Sequence, residues 1–119
     1  MQMNELKFTG PQPIDGYGTG FFRVGGQVCE GPLLLHAKGL IPWSGDLADT
    51  DPIVSLCNDI DVLLFGWGTE PQAIPLAFRE AIVAAGPGLE PMATASACRT
   101  YNVLLAEGRR VAAALLPVT

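Results

Sequence analysis

Apolar positions along the chain follow three rhythms, and each predicts a different kind of element. Around Gly25-Gly26 the rhythm is short and broken, with Phe21-Phe22-Arg23-Val24 on one side and Gln27-Val28-Cys29 on the other. A glycine pair between two such runs predicts a tight hairpin, because the favoured two-residue turns need positive φ at their centre. Glu5 to Thr9 reads as another short extended piece, and Leu33-Leu34-Leu35 carries a strand from Pro32 to His36 that Gly39 and Pro42 close. With Gly10-Pro11, Pro13, Gly16, Gly18 and Gly20 as punctuation, this first third predicts a β meander.

Beyond the loop at Trp43-Ser44-Gly45-Asp46 the rhythm becomes helical. Thr50-Asp51-Pro52 supplies an N-cap type, an acid for the first turn and a proline where a missing N–H costs nothing, and Ile53, Leu56, Cys57 and Ile60 follow at helical spacing. A second helix starts near Pro75, buries Phe78, Ala81, Ile82 and Ala85, and stops at Gly86-Pro87-Gly88. A third is capped by Thr94 or Ser96, carries the stripe Ala97, Tyr101, Leu104 and Leu105, and stops at Gly108.

The third rhythm is continuous. Val62-Leu63-Leu64-Phe65, bounded by Asp61 and Gly66, is the pattern of a strand covered on both faces. Leu89 to Met92 reads as a short strand. The tail from Arg110 to Pro117 is open on pattern alone: its alanines favour helix, while the preceding glycine and the Val/Leu content suit a buried strand. Alternating helices and strands after a meander predict an α/β domain with a largely parallel central sheet and right-handed crossovers. At 119 residues the chain suits one domain spanning positions 1–119.

Composition narrows the function classes. Hydrophobic residues make up 49% of the chain and charged residues 16%, so either the strands are covered on both faces or an apolar patch is kept for a partner. Seven Lys and Arg in a chain of net charge -5, with Arg109-Arg110 the densest spot, do not supply the phosphate neutralisers a nucleic-acid binder needs. The longest apolar run, Val111 to Leu116, is far short of the roughly 20 residues a bilayer span requires. The start, Met1-Gln2-Met3-Asn4-Glu5-Leu6, has no basic n-region and no apolar h-region, which points to a cytoplasmic protein. Cys29, Cys57 and Cys98 are odd in number and widely spaced, which predicts reduced thiols, and His36 as the sole histidine gives zinc no ligand pair. Asp46, Asp49 and Asp51 share a loop without the closing glutamate of an EF-hand. No cofactor or metal is implied.

Three groups of residues are candidates for function. Gly66, Gly68 and Thr69 follow a buried strand at the edge where open α/β sheets bind ligands, and glycine N–H groups there suit an anion. The third glycine of a dinucleotide fingerprint is missing, however, and Glu70 repels phosphate. Cys98 stands in the first turn of a helix beside Arg99, where dipole and cation favour thiolate; the competing reading is a thiol packed under the helix. Arg99 and Asn102, three apart on one helix face, either line a pocket beside the glycine turn or serve the structure, Arg99 pairing with Asp59 or Asp61 and Asn102 bonding a loop backbone. Trp43 after Pro42 and Trp67 near Phe65 are large rings beside loops, suited to contacting a partner or to lidding the core.

The stretch from Met92 to Leu115, MATASACRTYNVLLAEGRRVAAAL, resembles the signature segment of the Mth-like domain-of-unknown-function family. Leu63-Leu64-Phe65-Gly66-Trp67-Gly68-Thr69 resembles that family's glycine turn, and Gly20-Phe21-Phe22-Arg23-Val24-Gly25-Gly26 and Pro42-Trp43 fit as well. The family includes assembly factor 3 of mitochondrial respiratory complex I and the adipogenesis-associated Mth domain protein. The resemblance implies a three-layer α/β fold with a mixed central β-sheet, helices packed on it and an N-terminal β meander, with the tail a strand after Gly108. It implies an interaction or assembly module with a protein partner, a homo-oligomer being compatible, rather than an enzyme, and the lack of a mitochondrial presequence points to a bacterial member. The alternative function is a small-molecule or anion binder, or an enzyme, at Gly66–Thr69 with Cys98 and Arg99. The chain departs from the family pattern in carrying Trp67 between its two glycines.

Overall fold

The computed structural model describes residues 11–119, so the extended piece expected at Glu5–Thr9 lies outside the described residues. Strands β1 (Ile14–Gly18), β2 (Phe21–Val24) and β3 (Gln27–Glu30) form an antiparallel sheet in that order. Gly25 and Gly26 make the expected hairpin turn with φ of 57° and 79°, a region that penalises any side chain with a Cβ.

The meander ends there. Strand β4 (Leu33–His36) leaves that sheet for a second one of five strands, in the order β5-β4-β8-β6-β7, where β5 is Gly39–Leu40, β6 is Val62–Gly66, β7 is Gly88–Met92 and β8 is Val111–Leu115. The reason lies in its composition: Leu33, Leu34 and Leu35 are all buried, and a strand apolar on both faces needs covering layers that a peripheral hairpin lacks. Strands β6, β7 and β8 run parallel, whereas β4 is antiparallel to β8 and to β5, so the sheet is mixed. The tail is extended and central, with β8 lying between β4 and β6.

Helix α1 (Asp51–Val54) is a single turn followed by a 3-10 turn at Cys57–Asp59, shorter than the helical spacing through Ile60 predicts. The Ser55 hydroxyl donates to the Pro52 carbonyl at 2.7 Å, and Asn58 and Asp59 are poor helix residues, so the chain tightens instead of propagating. Ile53, Leu56 and Ile60 are nevertheless buried. Helix α2 (Leu76–Ala85) follows Pro75 as expected, with Phe78 and Ile82 inward. Helix α3 (Thr94–Ala106) stops at Gly108, whose φ is 77°; the Gly108 N–H bonds the Leu105 carbonyl and the Arg109 N–H the Leu104 carbonyl, the paired bonds of a glycine helix stop.

Three layers result. On one side of the five-stranded sheet, Leu33, Leu35, Leu64, Val111, Ala113 and Leu115 meet α3 and the three-stranded sheet. On the other, Leu34, Leu63, Phe65, Ala112 and Ala114 meet α1 and α2. The strict alternation along β4, β6 and β8 is the period-2 geometry of strands, with both faces dry. The two sheets are tied at one rim, where the Gly20 N–H donates to the Val118 carbonyl at 3.0 Å.

Candidate functional site

Because β6, β7 and β8 run parallel, their C-terminal ends gather at one rim, and the glycine corner and the start of α3 meet there. Thr94, fully buried, joins all the parts. Its hydroxyl accepts from the Gly68 N–H at 2.7 Å and donates to the Leu116 carbonyl at 2.6 Å, while its own N–H bonds the Gly68 carbonyl at 2.9 Å. The Trp67 N–H is taken by the Met92 carbonyl at 2.9 Å and the Gly66 carbonyl by the Leu116 N–H at 2.8 Å. Gly66 is a glycine through close approach: a Cβ there would stand 2.7 Å from the Thr94 hydroxyl and 2.8 Å from Leu115 Cδ2. Gly68 needs its freedom for a φ of 89°.

Thr94 does not act as the expected cap. The N-cap position is Ala93, with no side-chain capping bond, and the Thr94 hydroxyl points instead across the corner. A threonine opening a helix directly after a strand signals such a plug as readily as a cap, since both roles use a hydroxyl facing backbone.

The other candidate residues are placed as follows. Thr69 is exposed beside the corner, its hydroxyl accepting from the Thr119 N–H at 3.2 Å. Cys98 lies a turn beyond Thr94, in the second turn of α3 and not its first, packed in the core between helix and sheets at 5% exposure. Burial pushes its thiol up to about 11 against the opposing pull of the Arg99 guanidinium, so at neutral pH it is protonated. Burial also raises the Cys29 and Cys57 thiols, and all three cysteines are free. Arg99 is exposed and bonds the Ser96 hydroxyl at 3.4 Å; the partner of Asp61 is Arg110, at 2.8 Å, whose hydrogen bond holds the Asp61 carboxyl below its usual range. Asn102 bonds both backbone groups of Ile14, accepting its N–H at 2.8 Å and donating to its carbonyl at 2.9 Å. It stands two turns beyond Thr94, about 12 Å along the helix, and pins β1 rather than facing the corner.

Trp43 and Trp67 close round Phe65 edge-to-face, at centroid separations of 6.3 and 4.9 Å, with Phe78 completing the cluster at 5.3 Å. Trp43 is buried and Trp67 half-buried, and both indole N–H groups are enclosed without a partner among the described residues. Beside Trp67 an open depression of about 400 Å³ is bordered by Thr69, Glu70, Gln72 and Thr119. A larger one of about 500 Å³ runs past Trp43 between Glu30 and Asp49. Each has acids and no Lys or Arg at its border, which repels anions. At the opposite rim a cavity of about 210 Å³ borders His36, Lys38, Asp59, Arg109 and Arg110. Burial lowers the His36 pKa, with Lys38 adding to the effect and Asp59 opposing it. Among the described residues no group of three or more His, Cys, Asp or Glu could hold a metal ion, and no helix is long and apolar enough to cross a membrane.

A mixed five-stranded sheet between two covering layers, with a glycine corner tied off from within, defines a three-layer α/β class to which several known proteins conform. Residues 14–116 match the model of a family described as a protein of unknown function, DUF498/DUF598, and the chain belongs to that family. It is 48% identical over 118 residues to an uncharacterised protein of Rhodobacter capsulatus, covering 99% of this chain and 94% of the other. It is 27% identical to a 13 kDa major membrane protein of Francisella tularensis, covering 98% and 99%. Over 110 residues it is 30% identical to human NADH dehydrogenase (ubiquinone) 1 alpha subcomplex assembly factor 3, covering 87% of this chain and 60% of the assembly factor's length. Among solved structures, an outer membrane protein from Bartonella henselae superposes with a TM-score of 0.84 at 35% identity, covering 94% and 99%. A Mth938-like domain from Bordetella pertussis does so at 0.72 and 28%, covering 98% and 92%. The Mth-like membership and the three-layer fold expected from the sequence are those observed.

Proposed function

We propose that this protein is a non-catalytic interaction module that helps assemble a respiratory complex, acting as a cytoplasmic protein with a protein partner. The observation that carries the reading is the state of the glycine corner: the Gly68 N–H, the donor an anion would use, is spent on Thr94 inside the fold. The relationship to assembly factor 3 supports the choice of assembly over other binding roles. Cys98 adds nothing catalytic in this reading, because a thiol sealed beneath α3 and held protonated is neither accessible nor nucleophilic. We place the partner's contact at the rim round Trp67 and over the margin of Trp43, where rigid rings border open depressions.

The test is deletion of the gene in the organism that encodes it, followed by native gels and NADH:ubiquinone oxidoreductase assays on membranes. Accumulated subcomplexes and lost activity, restored by the wild-type gene, are expected; fully assembled and fully active complex in the deletion strain overturns the proposal. Titration calorimetry with nucleotides and inorganic phosphate tests the competing binder at Gly66, Gly68 and Thr69, for which no heat is expected.

A further inference from the structure

Helix α2 turns Phe78 and Ile82 into the core and leaves its opposite face bare. On that face Leu76 is 70% exposed and Val83 56%, and they stand one heptad apart. At 3.6 residues per turn the two lie about 20° apart round the helix, and Arg79 and Glu80 flank their midline at about 50° on either side. Arg79 and Glu80 are exposed and, being sequence neighbours, cannot face each other; among the described residues neither has an ion-pair partner.

We infer that this face binds a second copy of the chain through α2, with the two helices parallel about a two-fold axis along their length. The charge arrangement selects both partner and orientation. In a parallel pair Leu76 meets Leu76 and Val83 meets Val83 on the seam, and the Arg79 flank of each helix lies against the Glu80 flank of the other. An antiparallel pair sets Arg79 against Arg79 and Glu80 against Glu80, which repel. Pairing through the sheet is blocked at both margins: β5 has two residues, and β7 carries Pro91, which has no N–H to give a new neighbour. One short helix from each copy buries less than a standard interface of about 1,200 Å² or more, so a dimer of micromolar or weaker affinity is expected. This inference stands independently of the assembly proposal.

Sedimentation equilibrium from about 5 to 500 μM tests it. The wild-type protein dimerises across that range, and Leu76→Asp weakens the dimer by more than about tenfold while its circular dichroism is unchanged. Arg79→Glu and Glu80→Arg each weaken self-association, an equimolar mixture of the two recovers it, and the double variant carrying both restores it to within about threefold of wild type. Leu76→Cys, oxidised by copper phenanthroline, forms a covalent dimer through its own position, which only the parallel arrangement permits. A chain that stays monomeric at 500 μM, a double variant no better than either single one, or failure of the Leu76→Cys protein to cross-link overturns the inference.

Discussion

Removing the Thr94 hydroxyl is expected to cost more than any other change of its size at the rim. In Thr94→Val the volume and β-branching are kept, but the Gly68 N–H loses its acceptor at 2.7 Å and the Leu116 carbonyl its donor at 2.6 Å. The net hydrogen bond to the Leu116 carbonyl is worth about 1 kcal/mol, and leaving the enclosed Gly68 N–H unpaired costs about 1–3 kcal/mol of unrecovered desolvation. About 2–4 kcal/mol of lost stability follows, a large share of what a domain of this size holds. Urea unfolding followed by circular dichroism reads it: with m of about 1–1.5 kcal/mol/M, the midpoint falls by about 2 M at unchanged slope. Thr94→Ser, which keeps the hydroxyl and loses one methyl, is expected to cost about 1 kcal/mol. Equal midpoints for the two variants would refute the claim that the hydroxyl, rather than the packing of the side chain, locks the three strand ends together.

Other expectations follow from groups buried elsewhere. The Tyr101 hydroxyl is enclosed without a partner among the described residues, so Tyr101→Phe should be neutral or stabilising by up to about 1 kcal/mol in the same assay; a loss above that reveals a partner such as an enclosed water. Asn102→Ala removes both bonds to Ile14 and should cost about 2 kcal/mol while speeding hydrogen exchange at the Ile14 amide, and unchanged exchange there counts against the pinning role. With its thiol raised to about 11, Cys98 should react slowly with iodoacetamide at pH 7.5, and its rate should climb about tenfold per pH unit up to pH 10; stoichiometric labelling within minutes at neutral pH contradicts that protonation state. His36 has a depressed folded-state pKa, so protonation favours the unfolded chain and stability should decline as pH falls below about 6.5, a decline that His36→Gln removes.

Strand β6 was legible because a four-residue apolar run between Asp61 and Gly66 has few other uses, and the ends of α2 and α3 were legible because Gly86 and Gly108 stop helices by a local rule. The strand state of Val111–Leu115 was not legible in the pattern, since alanine prefers helix, and came only with the family resemblance; the preference is overridden by covering layers on both faces, which no local window contains. Those close layers also suit Ala112, Ala113 and Ala114 better than larger side chains. The departure of β4 from the meander has the same origin, as its pairing partner lies in the tail. At the site, the glycine corner and the start of α3 were read onto one rim, but two of the decisive bonds were invisible. Thr94 reaches Gly68 across 26 positions and Asn102 reaches Ile14 across 88; the pattern offers Thr94 a local use as a cap and Asn102 a loop backbone to bond, without saying which backbone that is.

Strand β8 supplies both inner neighbours of the sheet, bonding β4 on one side and β6 on the other. Until residue 115 has cleared the ribosome, the nascent chain is two half-sheets, each with a raw inner margin and leucines awaiting cover. Closure of the sheet therefore waits on residues 111–115, and a stop codon or frameshift ahead of them leaves both inner margins unpaired, a chain fit for proteolysis or aggregation.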